Sequence, residues 1–163
     1  MQSARAPGMR RMSVSVAGLA ALATLAMAGC GEFPRDPEGT LERARGGVLR
    51  AGAVAAAPWV VVGPNGTPSG AEAELVEAFA RSIDARVEWR VAGADEVLRA
   101  IERRELDVAI GGFTKKSPWA PHIGMTRPWR KDGDDERVLA VAAGENATLF
   151  ALDRLIAARE GQR

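Results

Sequence analysis

The sequence contains one cysteine, one histidine and no tyrosine in 163 residues. A lone cysteine cannot form an internal disulfide, so the fold must depend on its core. The single histidine, His122, has no thiol or second histidine at metal-ligand spacing, so neither a metal site nor another cofactor is predicted. Catalytic triad patterns, a nucleophile elbow and a phosphate loop are also missing, and the sequence therefore does not predict an enzyme.

The charge is close to balanced, with a formal net value of +1 at pH 7. Residues 1–29 contain three arginines and no acidic residue, so the remainder of the chain carries a net charge of −2. No basic stripe with interleaved aromatic residues is present, which argues against a nucleic-acid partner.

The amino terminus has the pattern of a secretory signal. Three arginines precede an apolar stretch from Ser13 to Met27, which is too short and too rich in small residues for a typical membrane-spanning helix. The segment Ala26-Met27-Ala28-Gly29-Cys30 fits a bacterial lipobox, with Cys30 lipidated, and it also fits ordinary cleavage after Ala28. A free thiol at Cys30 is the third interpretation.

We favour the lipoprotein interpretation, because Cys30 is the only cysteine and lies where a lipobox requires it. Several acyl chains on this cysteine would give stable anchoring. The predicted organisation is a lipoprotein signal peptide at residues 1–29, then the lipidated cysteine and a flexible tether at 30–47, and one folded domain at 48–163. The predicted location is periplasmic or otherwise extracytoplasmic, anchored to a membrane through Cys30.

Hydrophobic periodicity predicts an α/β domain with the element order β-α-β-α-β-β-β-α. Apolar residues recur at helical spacing in three segments, and the strands are short and rich in valine and alanine. This order predicts a three-layer domain with a mostly parallel sheet. The helices are predicted at 70–83, 94–104 and 147–159, and the strands at 48–54, 86–91, 106–110, 122–126 and 137–142. A short extended run is predicted at 59–62 and a charged hairpin turn at 131–136.

The run from Leu106 to Thr114 reads as a buried strand that ends on two glycines and a threonine. In open α/β sheets, ligands bind outside the carboxyl ends of the strands. Gly111 and Gly112 would let a ligand approach the backbone, and Thr114 would offer a hydroxyl. The alternative is that the glycines form a tight structural turn.

Residues 48–129 resemble the first lobe of the family 3 extracellular solute-binding proteins. The matching segments are Leu49-Arg50-Ala51-Gly52, Ala57-Pro58-Trp59, the helix start at 69–75, the glycine run at 106–114, and Met125-Thr126-Arg127-Pro128-Trp129. Residues 137–163 resemble the return strand and carboxyl-terminal helix of that lobe. The resemblance implies a single periplasmic-binding-protein-like (type II) lobe, and we expect the second lobe to be absent.

The resemblance also implies a function and a site. The expected function is binding of a small solute, an amino acid or a small organic acid, for or alongside an ABC transporter permease. Trp119 stands where amino-acid receptors of the family carry a carboxylate-binding arginine, which weakens the expectation of amino-acid capture. The candidate ligand-binding residues are Trp59, Gly111, Gly112, Thr114, Lys116 and Trp119.

Each candidate has a structural alternative. Trp59 and Trp119 either form an aromatic wall beside the glycine run or cover apolar surface. Lys115 and Lys116 either attract an anion or form a solvated turn. Trp129 and Trp89 are predicted to pack in the core, and Glu72 and Glu74 to favour a helix start.

A single lobe is predicted to bind a solute weakly by itself, because one face of the ligand stays exposed. A homodimer or a membrane partner would supply the second wall. The rival hypothesis is an adaptor lipoprotein that docks a transporter or sensor through the exposed half-cleft without any small ligand.

Overall fold

The computed structural model describes residues 34–161. The predictions for the signal peptide and for lipidation at Cys30 lie outside these residues. Within the described residues, the four helices are α1 Thr40–Ala44, α2 Ala71–Ser82, α3 Ala94–Glu102 and α4 Asn146–Glu160. The nine strands in the same part of the chain are β1 Val48–Ala53, β2 Val61–Val62, β3 Pro68–Ser69, β4 Arg86–Val91, β5 Val108–Ile110, β6 Ile123–Met125, β7 Arg130–Asp132, β8 Asp135–Arg137 and β9 Ala140–Ala142.

Five strands form the central sheet in the order β4-β1-β5-β9-β6. β1 pairs in parallel with β4 and β5, whereas β9 runs antiparallel to both β5 and β6. Four of the five strands therefore point the same way, and the predicted mostly parallel sheet is confirmed. The carboxyl ends of β1, β4, β5 and β6 consequently share one edge of the sheet.

Helices cover both faces of this sheet. On one face, α2 and α4 pack on β1 and β5 through residues such as Val76, Phe79, Leu152 and Ile156. On the other face, α3 packs through residues that include Ile101. These side chains recur at helical spacing in the sequence, and their burial confirms the three-layer α/β architecture.

The hairpin turn expected at residues 131–136 is present, whereas Trp89 is less buried than expected. The charged segment around Gly133 is a hairpin of β7 and β8, since Gly133 adopts a φ of +59° that permits the tight turn. Trp89 is only half-buried, because β4 is an edge strand with one paired neighbour.

The folded domain begins before Val48, where the sequence predicted a flexible tether. Asp36 accepts hydrogen bonds from the backbone N–H groups of Ala147 at 2.6 Å and Thr148 at 3.0 Å, at the start of α4. In return, the buried Glu145 accepts bonds from the N–H groups of Glu38 and Thr40. Each segment thus accepts hydrogen bonds from N–H groups at the start of the other segment's helix, where the helix itself offers no acceptor. Hydrophobic periodicity does not reveal such an interaction between distant segments.

Replacing Asp36 with alanine should lower the free energy of unfolding by about 2 kcal/mol, because it removes the acceptor at the start of α4. Glu42→Ala, on the exposed side of α1, is the matched control and should change stability little. Urea unfolding of both variants measures the difference. Equal, small losses would mean that residues 34–47 contribute little to the fold.

Among the described residues, no helix combines the length and the apolar character needed to cross a membrane.

Candidate functional site

Three loops meet at the sheet edge where the parallel strands end. The loop after β1 carries Trp59, the loop after β5 carries residues 111–114, and the segment after β6 leads into the β7–β8 hairpin. Ligands of open α/β sheets bind at this edge. We call the surface formed by Trp59, Gly112, Thr114 and Arg137 the candidate site.

The backbone amides of the glycine run are held by a carboxylate of the protein itself. The N–H groups of Gly111 and Gly112 each donate a hydrogen bond of 2.9 Å to Oε2 of Glu72. Oε1 of Glu72 accepts a third bond, of 3.3 Å, from the indole N–H of Trp129. Glu72 is 0 % exposed. These two amides are therefore not free to bind a ligand carboxylate while Glu72 stays in place.

The two glycines are required by the packing around them. A Cβ on Gly111 would lie 2.8 Å from Cβ of Val54, closer than atoms can approach. Gly112 has a φ of +63°, and a Cβ there would lie 3.2 Å from Cδ1 of Trp59. The structural interpretation of the glycines thus has direct geometric support.

Trp59 is half-buried and is surrounded by aromatic and cationic groups. Its ring contacts Trp129 edge to face, with centroids 5.6 Å apart. The guanidinium carbons of Arg130 and Arg137 lie 5.3 Å and 5.4 Å from its ring centroid, within range of cation–π attraction. Trp129 is 4 % exposed, as the prediction of a packing role requires.

Arg137 connects the β7–β8 hairpin to the glycine run. Its Nη1 donates a 2.7 Å hydrogen bond to the carbonyl of Gly112, and its Nη2 lies 3.2 Å from an Asp132 carboxylate oxygen and 3.7 Å from one of Asp135. The side chain is only 17 % exposed, and its Nε has no hydrogen-bond partner. Arg137 thus places a fixed positive charge inside the candidate site.

Thr114 and Lys116 lie beside this hairpin. Thr114 forms a β-bridge with Arg137 and is half-buried, while Lys116 is exposed and its Nζ lies 3.1 Å from Oδ1 of Asp135. The structure therefore brings Trp59, Gly112 and Thr114 together, with Lys116 at the rim. Their roles in ligand binding remain predictions.

Trp119 does not join this group. It contacts His122 at 6.1 Å between ring centroids and lines a cavity with Glu102, Pro118 and His122. Trp119 packs against the cluster under α3, whereas Trp59 packs against the cluster on the opposite face of the sheet. Of the two alternatives for these tryptophans, the structure favours covering of apolar surface, because Trp59 and Trp119 pack against opposite faces of the sheet.

Sequence reasoning misses the two charged residues that organise the site. It assigns Glu72 to a helix start, yet this residue lies three, four and seven positions before the buried Leu75, Val76 and Phe79. That spacing places its carboxylate on the apolar face of α2 and is the signal that the sequence offers. The sequence around Arg137 offers no such signal, since its contacts with Gly112 and Trp59 come from distant segments of the chain.

Burial raises the pKa of the Glu72 carboxyl above its ordinary value of 4.5. This effect outweighs the opposite effects of the Gly112 and Gly111 amides, the Trp129 indole and the charge of Arg137. The folded state therefore binds the proton more tightly than the unfolded state does. The stabilisation that comes from this tighter proton binding is fully present below the pKa of Glu72 in the unfolded chain. It is lost as the pH rises through the pKa of Glu72 in the folded protein.

Glu72→Gln cannot titrate at this position. We therefore expect the free energy of unfolding of the wild type to fall relative to that of Glu72→Gln as the pH rises. Urea unfolding of both proteins from about pH 4 to about pH 8 measures it. A difference that is constant across this range would contradict the raised pKa.

Within residues 34–161, no three histidine, cysteine, aspartate or glutamate side chains are placed to hold a metal ion.

Comparisons with known proteins agree with this fold. Residues 49–151 match the model of the bacterial extracellular solute-binding proteins, family 3. The arginine-bound form of domain 1 from TmArgBP, the ArgBP of T. maritima, superposes with a TM-score of 0.64 at 19 % identity, covering 72 % of this chain and 94 % of that chain.

Two other solved structures have the same fold. An ancestral arginine-binding protein bound to arginine gives a TM-score of 0.63 at 13 % identity, and a Salmonella typhimurium periplasmic binding protein with high arginine specificity gives 0.62 at 10 % identity. Each comparison covers 72 % of this chain and 94 % of the other. No curated protein matches in sequence.

Proposed function

This chain belongs to family 3 of the bacterial extracellular solute-binding proteins, and we propose that it is a periplasmic lipoprotein, tethered through Cys30, whose lobe binds a small solute for or alongside a transporter. The family implies a solute-binding role outside the cytoplasm. The proposed solute is an amino acid or a small organic acid. The family and the structural neighbours are binding proteins, and we propose no enzymatic activity.

The observation that carries this proposal is the convergence of Trp59, Thr114 and Arg137 at the carboxyl edge of the sheet. An aromatic face beside a few fixed polar groups is typical of small-molecule sites. The domain 1 structure from TmArgBP is described as arginine-bound, and it has the same single-lobe fold. This likeness supports binding of a small solute by a single lobe of this fold.

One wall of the site is open in the described lobe, so we expect weak binding by the monomer. Good pockets bury most of the ligand surface, and a second copy or a membrane partner would be needed to cover the other side. The test is native mass spectrometry of the protein purified with its own signal sequence, which reports any co-purified solute and the stoichiometry. Isothermal titration against amino acids and organic acids follows. Sub-micromolar affinity of a monomer would contradict the expectation of weak binding.

An adaptor role is the second candidate, and one observation favours it. Because Glu72 holds the amides of Gly111 and Gly112, part of the polar surface expected to face a ligand is already satisfied. Trp59→Ala and Thr114→Val separate the two functions. If these variants lose a transporter or sensor partner in pull-down, and no solute in the panel binds the wild type, the adaptor role stands.

A further inference from the structure

A basic cavity adjoins the candidate site. Its volume is about 250 Å³, and it lies between the end of the glycine run, the segment before β7, the hairpin and the end of α4. We call it the basic cavity, and it is lined by Lys115, Arg127, Pro128, Arg130, Lys131, Glu136 and Glu160.

The charges that line the basic cavity do not balance. Glu136 faces two lysines through long contacts, of 3.7 Å to Nζ of Lys115 and 3.6 Å to Nζ of Lys131. Glu160 pairs with Arg127 at 3.1 Å. Arg130 forms no ion pair with any carboxylate of the described residues. Four cations thus face two carboxylates, which leaves two positive charges uncompensated.

Arg130 links this cavity to the candidate site. It lines the basic cavity, and its guanidinium also lies 5.3 Å from the ring centroid of Trp59, where Arg137 is a second cation at 5.4 Å. Asp132 and Asp135 already pair with Arg137. A ligand with a cationic side chain would therefore approach Trp59 against the guanidinium of Arg130, which pairs with no carboxylate in the described part of the chain. Because like charges at this range repel, the local field favours an anion.

We propose that the basic cavity binds a small organic dianion, such as a dicarboxylate, with Arg130 as its principal contact. The proposal rests on the proposed solute-binding function and names the class of solute. A guanidinium donates two parallel hydrogen bonds to a carboxylate, which suits the one arginine in the cavity that has no carboxylate partner among the described residues. Lys115 and Lys131 then face the second negative group.

The first test is isothermal titration of the full protein with succinate, inorganic phosphate, arginine and alanine. We expect succinate to bind, arginine not to bind, and the succinate affinity to fall with added salt because the cations are exposed. Arg130→Ala should weaken succinate binding about tenfold. Arg81→Ala, which removes an exposed, ion-paired arginine on α2, is the control and should leave the affinity unchanged.

The second test predicts a gain of affinity, which a folding defect would not produce. Glu136→Gln removes the carboxylate that faces both lysines, so succinate should bind about threefold more tightly. An unchanged or weaker affinity in Glu136→Gln would overturn the assignment of the dianion to this cavity, and so would unchanged binding in Arg130→Ala.

The remaining outcomes separate this inference from the proposed function. Binding of arginine or alanine without succinate would overturn the inference and leave solute binding intact. Binding of phosphate alone would replace the organic dianion with an inorganic one and overturn the inference. If no solute binds, and the protein instead sediments with vesicles rich in phosphatidylglycerol in an Arg130-dependent manner, both proposals fail and the cavity is a membrane-facing surface.

Discussion

Glu72→Ala should lower the free energy of unfolding by about 3 kcal/mol or more, the largest loss that we expect from a single polar residue in this domain. The substitution leaves three donors without their acceptor: the backbone amides of Gly111 and Gly112 and the indole N–H of Trp129. These groups lie around a fully buried carboxylate, and a buried donor without a partner costs its full desolvation penalty.

Glu74→Ala is the matched control, because Glu74 lies in the same turn of α2 and is exposed. Urea unfolding should show a change of less than about 0.5 kcal/mol for this variant. Glu72→Gln should fall between the two, since its amide oxygen can accept from the glycines while its NH₂ group faces the Trp129 indole N–H. A loss in Glu74→Ala equal to that in Glu72→Ala would mean that helix charge, rather than the buried contacts, controls stability.

The stability test also has a functional readout. If Glu72 holds the glycine run in place, Glu72→Ala should free the two amides as well as destabilise the domain. A variant that remains folded and gains affinity for a carboxylate solute would show that Glu72 occupies a position that a ligand carboxylate would otherwise take. Isothermal titration at a temperature well below the unfolding midpoint measures this.

Gly70→Ala should cost about 3 kcal/mol and displace Trp59. Gly70 has a φ of +101° with a ψ of 178°, a conformation open essentially only to glycine. A Cβ at this position would lie 2.6 Å from the carbonyl oxygen of Trp59, and a backbone atom cannot move aside as a flexible side chain can. The strain therefore reaches the aromatic face of the candidate site.

Gly93→Ala is the control for this prediction. Gly93 precedes α3 just as Gly70 precedes α2, but its φ is −68°, and a Cβ at Gly93 would have no neighbouring atom within 4 Å. Its stability should change by less than about 0.5 kcal/mol. Thermal unfolding compares the two variants, and the tryptophan fluorescence of the folded Gly70→Ala protein reports displacement of Trp59. Equal effects in both variants would contradict the steric argument.

Local pattern was sufficient for most of the fold. The apolar spacing of Val76 and Phe79 in α2 and of Ile101 in α3 predicted which faces these helices bury, and the short apolar run at β5 predicted a central strand. These features depend on periodicity along a single segment, which a sequence displays directly. The resemblance to the solute-binding family added the single-lobe topology, including the return of the chain to the sheet as β9.

Contacts between distant segments could not be predicted from local sequence pattern. Asp36 meets the start of α4 across more than a hundred residues, a contact that the prediction of a flexible tether at residues 30–47 did not include. Trp119 lies close to the glycine run in sequence, but the direction of the chain into β6 carries it to the opposite face of the sheet. Proximity along the chain does not specify the face on which a loop residue packs.

The sequence by itself determined that residues 106–114 form a buried strand followed by a glycine turn, because β-branched and apolar residues ending on Gly111 and Gly112 permit little else. Only the tertiary structure decided what that turn does. Glu72 from α2 takes its amides, and Arg137 from the hairpin takes the Gly112 carbonyl. The physical reason is that hydrogen-bond partners and charges are supplied by neighbours in space, whereas the conformation of a strand and its turn is set by neighbours in sequence.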